Sequence, residues 1–272
     1  MGCRTSKSEQ NQEVNKLKYL IEADNENGLN LILKQEVYIK NNMNLANEIS
    51  IICQNINFSL LGYCVYKVKG KCFLCLVKVF KARIEDLFDQ FEKEGLDVIE
   101  TVFKGGNLQI FQEVYSKFVK LEPKVSSSLT PIQKACQIGN LGFIHFILNF
   151  PEGPAAYKDL QLKNNEGKNA VALALEQGVY SVFKYAAERC QKISGIPDPI
   201  GYCLEQYNLV KGKEYLECAM YMIQSLLIPI QKSHLETPTS CLTFNSFLFN
   251  KYQVSCTTSH DSIDSFSTQH SY

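Results

Sequence analysis

Residues 126–148 read SSSLTPIQKACQIGNLGFIHFIL, and this stretch decides the fold. Thr130 precedes Pro131: a threonine hydroxyl caps a helix, and proline sits at its first position, where a missing N–H costs nothing. Ala135 and Cys136 are small enough to let a neighbouring helix approach closely. Gly139 and Asn140 supply the left-handed turn that ends the first helix. Phe143, Ile144, Ile147 and Leu148 then recur at i, i+1, i+4 and i+5, one face of a second helix. The stretch predicts a helical hairpin whose apolar side must be buried against another element.

The pattern recurs on both sides. In NNEGKNAVALALEQGVYSVFKYAA (164–187), Gly167 opens the unit, Ala174 and Leu175 form the small pair, and Gly178 forms the turn. Val182, Phe183, Ala186 and Ala187 make the second apolar face. In EGLDVIETVFKGGNLQIFQEVY (94–115), Gly95 matches Gly167, Gly106-Asn107 match Gly139-Asn140, and Ile110, Phe111 and Val114 make the second helix. Gly106 and Gly139 are 33 residues apart, and Gly139 and Gly178 are 39 apart, which fits an insertion around PEGPAAYKDL. Each opening glycine precedes its turn glycine by 11 residues.

These units resemble the ankyrin repeat family, whose period is about 33 residues. Thr130 and Pro131 stand at the family's Thr-Pro, Ile132 at its leucine, and Gln133 replaces its histidine. Ala135 and Cys136 take the place of its alanine pair. The resemblance covers about 95–187. Fainter echoes occupy 47–66, where Asn57, Leu60, Leu61, Cys64 and Val65 have second-helix spacing, and 198–223; residues 19–33 read as an N-terminal cap. The fold implied is all-α: an ankyrin-like helical-repeat solenoid over 14–228, clearest over 94–190, between a disordered leader (1–13) and a Ser/Thr-rich, largely disordered tail (229–272). The resemblance also implies a concave surface of turns and first helices that holds a protein partner. Its candidates are Gln133, Lys134 and Gln137, with Asn165 and Glu166 at a fingertip.

One stretch resists this reading. YCVYKVKGKCFLCLVKVF (63–80) alternates apolar and polar residues around a Lys-Gly-Lys turn, a β-hairpin signal. It also resembles the early strands of protein kinases, with Lys78 at the nucleotide-binding lysine. No glycine-rich loop precedes it and no His-Arg-Asp or Asp-Phe-Gly follows. The preferred reading is a divergent repeat with CFLCLVKVF as first helix and IEDLFDQF (84–91) as second.

Bulk composition narrows the function. The 272 residues are 45% hydrophobic, enough for a substantial core. Lys+Arg and Asp+Glu are both 28, which gives no electrostatic argument for nucleic acid. Arginine occurs only at 4, 83 and 189, so bidentate phosphate recognition is not favoured. The 11 cysteines sit mostly in apolar patterns, and the first 20 residues contain no apolar signal region, so a reducing intracellular compartment is expected. The stretch 60–80 carries four lysines, too many for a membrane span. Cys72 and Cys75 form a C-x-x-C without a partner pair, and the histidines (145, 234, 260, 270) are scattered. His145 is expected on a helix surface. No catalytic, phosphate-cradling or metal-binding constellation is present, so neither enzyme activity nor a cofactor or metal is expected.

The chain opens MGCRTS. Met-Gly-x-x-x-Ser matches the N-myristoylation pattern, with Gly2 as acceptor. One myristoyl chain gives only marginal binding, on the order of 10⁴ M⁻¹, and Cys3 beside it is the expected palmitoylation site for a second chain. The start resembles those of dually acylated G-protein alpha subunits and membrane-anchored tyrosine kinases. The expected function is a non-enzymatic adaptor held at the cytoplasmic face of a membrane. A soluble cytosolic scaffold or inhibitor without lipid is the alternative, and an enzyme with an unrecognised site the third.

Overall fold

The computed structural model describes residues 7–34, 49–121, 129–151, 158–190, 192–210, 212–231, 234 and 246–247. Among these the chain is mostly helical, with thirteen helices and one two-stranded antiparallel sheet.

The N-terminal part begins with α1 (Lys7–Glu22) and α2 (Glu26–Leu33). A hairpin of β1 (Ser50–Cys53) and β2 (Ile56–Ser59) follows, then α3 (Leu60–Tyr66), α4 (Gly70–Lys78) and α5 (Glu85–Lys93). The remaining helices come in pairs: α6 (Val98–Gly105) with α7 (Leu108–Leu121), and α8 (Pro131–Gln137) with α9 (Leu141–Asn149). After these come α10 (Ala170–Gln177) with α11 (Tyr180–Arg189), and α12 (Pro199–Val210) with α13 (Lys213–Gln224).

Several helices that hold the same place in neighbouring pairs are in contact. Of the first helices, α1 packs on α3, α3 on α6, and α8 on α10. Of the second helices, α2 packs on α4, α4 on α7, α7 on α9, and α11 on α13. Aromatic rings tie neighbouring pairs together. Phe111 of α7 stacks on Phe143 of α9 with centroids 4.1 Å apart and planes 14° apart, and Phe103 meets both rings. Further along, Phe183 of α11 meets Tyr221 of α13 edge-on.

The local signals of the central units correspond to local geometry. Thr130 and Gln133 form a reciprocal capping box at α8. Side chains of Asp97, Asn140 and Asn169 cap α6, α9 and α10. Gly106, Gly139 and Gly178 sit between paired helices at φ of 70°, 71° and 73°, backbone that costs other residues about 1–2 kcal/mol.

The N-terminal part departs from expectation at several points. Helix α1 starts at Lys7, so 7–13 are helical where a disordered leader was expected. Residues 63–80 form neither a β-hairpin nor kinase-like strands: α3 and α4 are a helical pair, and Lys78 is an exposed residue of the last turn of α4. The helix assignments also shift by one. Leu60–Tyr66, expected as a second helix, is a first helix, and 70–78 is its second, leaving α5 as an extra helix before α6. The cause is burial. Leu60 through Val65 are all buried, because α3 lies against α1, α4, α5, α6 and both strands. A helix buried all round shows no 3.6-residue apolar period. The real β-hairpin lies at 50–59, turned by Gln54 and Asn55, both at positive φ as a two-residue type I′ turn requires.

The start of the expected tail is also anchored. Past α13 the chain turns back and buries His234. Gln231 N–H donates to His234 Nδ1 (3.0 Å), so Nε2 carries the proton and donates to the Asp198 carboxylate at the head of α12 (2.8 Å). Phe247 packs, half-buried, against the core.

Candidate functional site

The first helices present their polar residues as two charge clusters. At one, Glu100 of α6 takes Lys134 of α8 at 2.8 Å and Lys104 at 3.4 Å. Glu100 and Lys134 are 34 residues apart, about one repeat, so this ion pair bridges adjacent units. Partial burial raises the Glu100 pKa, but hydrogen bonds and charge from Lys134 and Lys104 outweigh it and hold the carboxyl below its ordinary value. At the other, Lys168 lies 2.8 Å from Glu166 and 2.7 Å from Glu176, whose hydrogen bonds push its pKa up.

The expected partner residues separate on this frame. Gln137, Asn165 and Glu166 are exposed. Lys134 is half-buried in its ion pair. Gln133 is a correction: it is 1% exposed and unable to meet a partner. Its Oε1 accepts from Thr130 N–H, while its Nε2 donates to Leu162 O at 2.8 Å, fastening α8 to the segment before α10. Gly2 and Cys3 lie outside the described residues.

Asn169, not anticipated from the sequence, does a similar job one unit later. Its Oδ1 accepts from Ala172 and Ser194 N–H, and its Nδ2 donates to Lys192 O. The signal was present as an asparagine before the small-residue run at 170, where a helix cap belongs. Beside it, a cavity of about 440 Å³ opens between Lys163, Glu188, Arg189 and Lys192. Its mixed charge fits polar contact better than apolar ligand burial.

The remaining candidates for chemistry are structural in position. Cys72 and Cys75 are buried, with thiols directed at the carbonyls of Leu20 and Glu26. Burial pushes the Cys72 thiol up to about 12 and raises that of Cys75 as well, the opposite of an activated thiolate. His145 is exposed on α9, and its ring meets Tyr185 of α11, over which the Arg189 guanidinium lies 3.4 Å from the ring centroid. Among the described residues no group of three or more His, Cys, Asp or Glu could hold a metal ion, and no helix is long and apolar enough to cross a membrane. No protein-family model matches the chain, and no curated protein is significantly similar to it.

Proposed function

We propose that the chain is an ankyrin-like repeat scaffold that binds a protein partner through its first-helix face and is anchored at the cytoplasmic face of a membrane by acylation of Gly2 and Cys3. The observation that supports the scaffold reading is the pairing of helices, with contacts between like members of several neighbouring pairs and left-handed glycines at Gly106, Gly139 and Gly178 between the members of three pairs. Stacked pairs make an extended surface whose residues come from many units. On the first-helix side, Gln137, Asn165 and Glu166 are exposed beside the Glu100–Lys134 and Glu166–Lys168–Glu176 clusters. A partner with a polar, mixed-charge surface fits that face.

The anchor rests on the sequence Met-Gly-Cys-Arg-Thr-Ser and on the need for two signals for stable membrane residence. The test of location is fractionation of cells expressing the wild type or Gly2→Ala, with the intact N-terminal mass measured in parallel. Loss of the Gly2→Ala chain to the cytosol, with an acyl mass on the wild type, is expected; a Gly2→Ala chain still fully membrane-bound sinks the anchor. The test of binding is proximity labelling from the wild-type chain, compared with Gln137→Ala/Asn165→Ala/Glu166→Ala. A labelled set unchanged by that triple variant sinks the proposed face.

A further inference from the structure

Charge is unevenly placed in this neutral chain. Between residues 49 and 84 stand five lysines and one arginine and not a single Asp or Glu. The structure collects part of this excess on one surface. Helices α2 and α4, both second helices of their pairs, pack together. The exposed positions of α2 include Asn27 and Leu31, four residues apart, and Lys34 follows at its end. Along α4, Lys71 and Lys78 are exposed with half-buried Leu74 between them, and exposed Val79 and Lys81 come just after. Leu31 is 71% exposed and Val79 48%.

These lysines differ from those elsewhere on the body. Lys104, Lys117, Lys134 and Lys168 each hold a carboxylate. Among the described residues no salt bridge involves Lys34, Lys71, Lys78 or Lys81. The acidic groups on this hairpin side are few: α4 contains none, α2 contributes Glu26, and the Asp24 carboxylate before it accepts the Cys72 N–H.

We propose that the α2–α4 face is a docking surface for an anionic membrane leaflet. Lysines supply long-stemmed charges that reach headgroups while their methylenes stay near apolar surface, and Leu31 and Val79 offer side chains to the interfacial layer. Each lysine near an anionic leaflet is worth about 1 kcal/mol, close to fivefold in binding. The four together therefore supply on the order of several hundredfold, a contribution of the kind that adds to an acyl chain for stable residence. The geometry suits the anchor, because α1 packs on α2 and the acyl-acceptor residues precede α1 by only a few positions. The inference rests on the membrane reading above for its setting, but the contact itself needs no lipid modification.

The test uses the full chain purified without acyl groups and sedimented with phosphatidylcholine vesicles, with and without phosphatidylserine. Binding is expected only with phosphatidylserine and should weaken as salt rises, since exposed charges are screened beyond about 10 Å at 0.1 M. Lys71→Glu/Lys78→Glu/Lys81→Glu should reduce binding about a hundredfold or more, whereas Lys163→Glu/Lys192→Glu, at a distant site, should change it little. Lys71 lies in the first turn of α4, where a glutamate suits the helix dipole, and Lys78 in its last turn, where a glutamate opposes it. Melting of the triple variant is therefore compared with wild type, and Lys71→Gln/Lys78→Gln/Lys81→Gln, which only removes the charges, should also weaken binding. Equal sedimentation with both vesicle types, or a triple variant binding as tightly as the control, overturns the proposal. Either result leaves the acyl anchor standing. Conversely, a wild-type chain from cells whose intact N-terminal mass carries no acyl group, while the vesicle result holds, removes the anchor and not this face.

Discussion

The turn after α3 and the turn after α8 have the same hydrogen bonds and opposite sequences. After α8, Asn140 N–H reaches Ala135 O and Gly139 N–H reaches Cys136 O. After α3, Lys69 N–H reaches Cys64 O and Val68 N–H reaches Val65 O. Both are Schellman turns, which need a left-handed residue just past the helix. Glycine fills that place at 139, with φ of 71°, and valine fills it at 68, with φ of 59°. A β-branched residue there is strained. The difference teaches that the glycine of the central units eases a turn that burial can also force. Helix α3 is enclosed so completely that its exit is fixed by its neighbours, and Val68 fills the space beside Gly105 of the next turn: a Cβ there would lie 2.9 Å from Val68 Cγ2.

The largest effect should come from cutting the packing that makes turns secondary. Phe143→Ala removes the ring stacked on Phe111 and should cost about 3–5 kcal/mol, measured by urea unfolding. A cost below about 1 kcal/mol would mean that the stacked aromatics do not tie α7 to α9. Gly139→Val, which gives the central turn the N-terminal solution, should be the next most damaging. It adds left-handed strain of about 1–2 kcal/mol, and its Cβ would meet Gln177 and Val179 side chains at 3.0 Å. The reverse change, Val68→Gly, should gain up to about 1 kcal/mol as strain is relieved, offset by lost contact at Gly105. If Val68→Gly is as harmful as Gly139→Val, packing and not backbone strain dominates at 68.

The same contrast explains what could be read in advance. The central units were legible because each piece of their geometry has a residue type that favours it: Thr130-Pro131 for a cap, Gly139 and Gly178 for turns, and Phe143, Ile144, Ile147 and Leu148 for a one-sided apolar face. The α3–α4 pair has fewer of these: Ser59 caps α3, its hydroxyl accepting the Gly62 N–H, but the turn between the two helices has no such residue. Val68, not glycine, takes the left-handed place after α3, Lys69 caps α4 without a side-chain hydrogen bond, and enclosure erased the period of α3. The β-hairpin was missed for a related reason: Gln54-Asn55 makes the left-handed turn without the usual glycine. For the site, the exposure of Gln137 agrees with its place at the end of α8, and that of Asn165 and Glu166 with the expected fingertip, a turn before α10. The burial of Gln133 did not, because it depends on the Leu162 carbonyl, 29 positions away in sequence.

The smallest expected effect concerns the bridge between units. Glu100 has its folded pKa lowered, with Lys134 and Lys104 as the causes that win over burial. A lowered folded pKa means that the carboxylate contributes stability above its unfolded pKa of about 4.3 and loses it as pH falls through the folded value. Glu100→Gln should therefore cost about 0.5–1 kcal/mol at pH 7, and the gap between wild type and variant should close in acid. Salt should narrow it at neutral pH, since Lys134 retains 19% side-chain exposure and Glu100 30%. Denaturant titrations of both proteins at pH 7 and pH 3 measure the gap directly. A gap that persists unchanged at pH 3 would mean that the charge of Glu100 does not make the bridge. The α6–α8 bridge would then rest on apolar contact, as the α3–α6 junction, built on fully buried α3, already does.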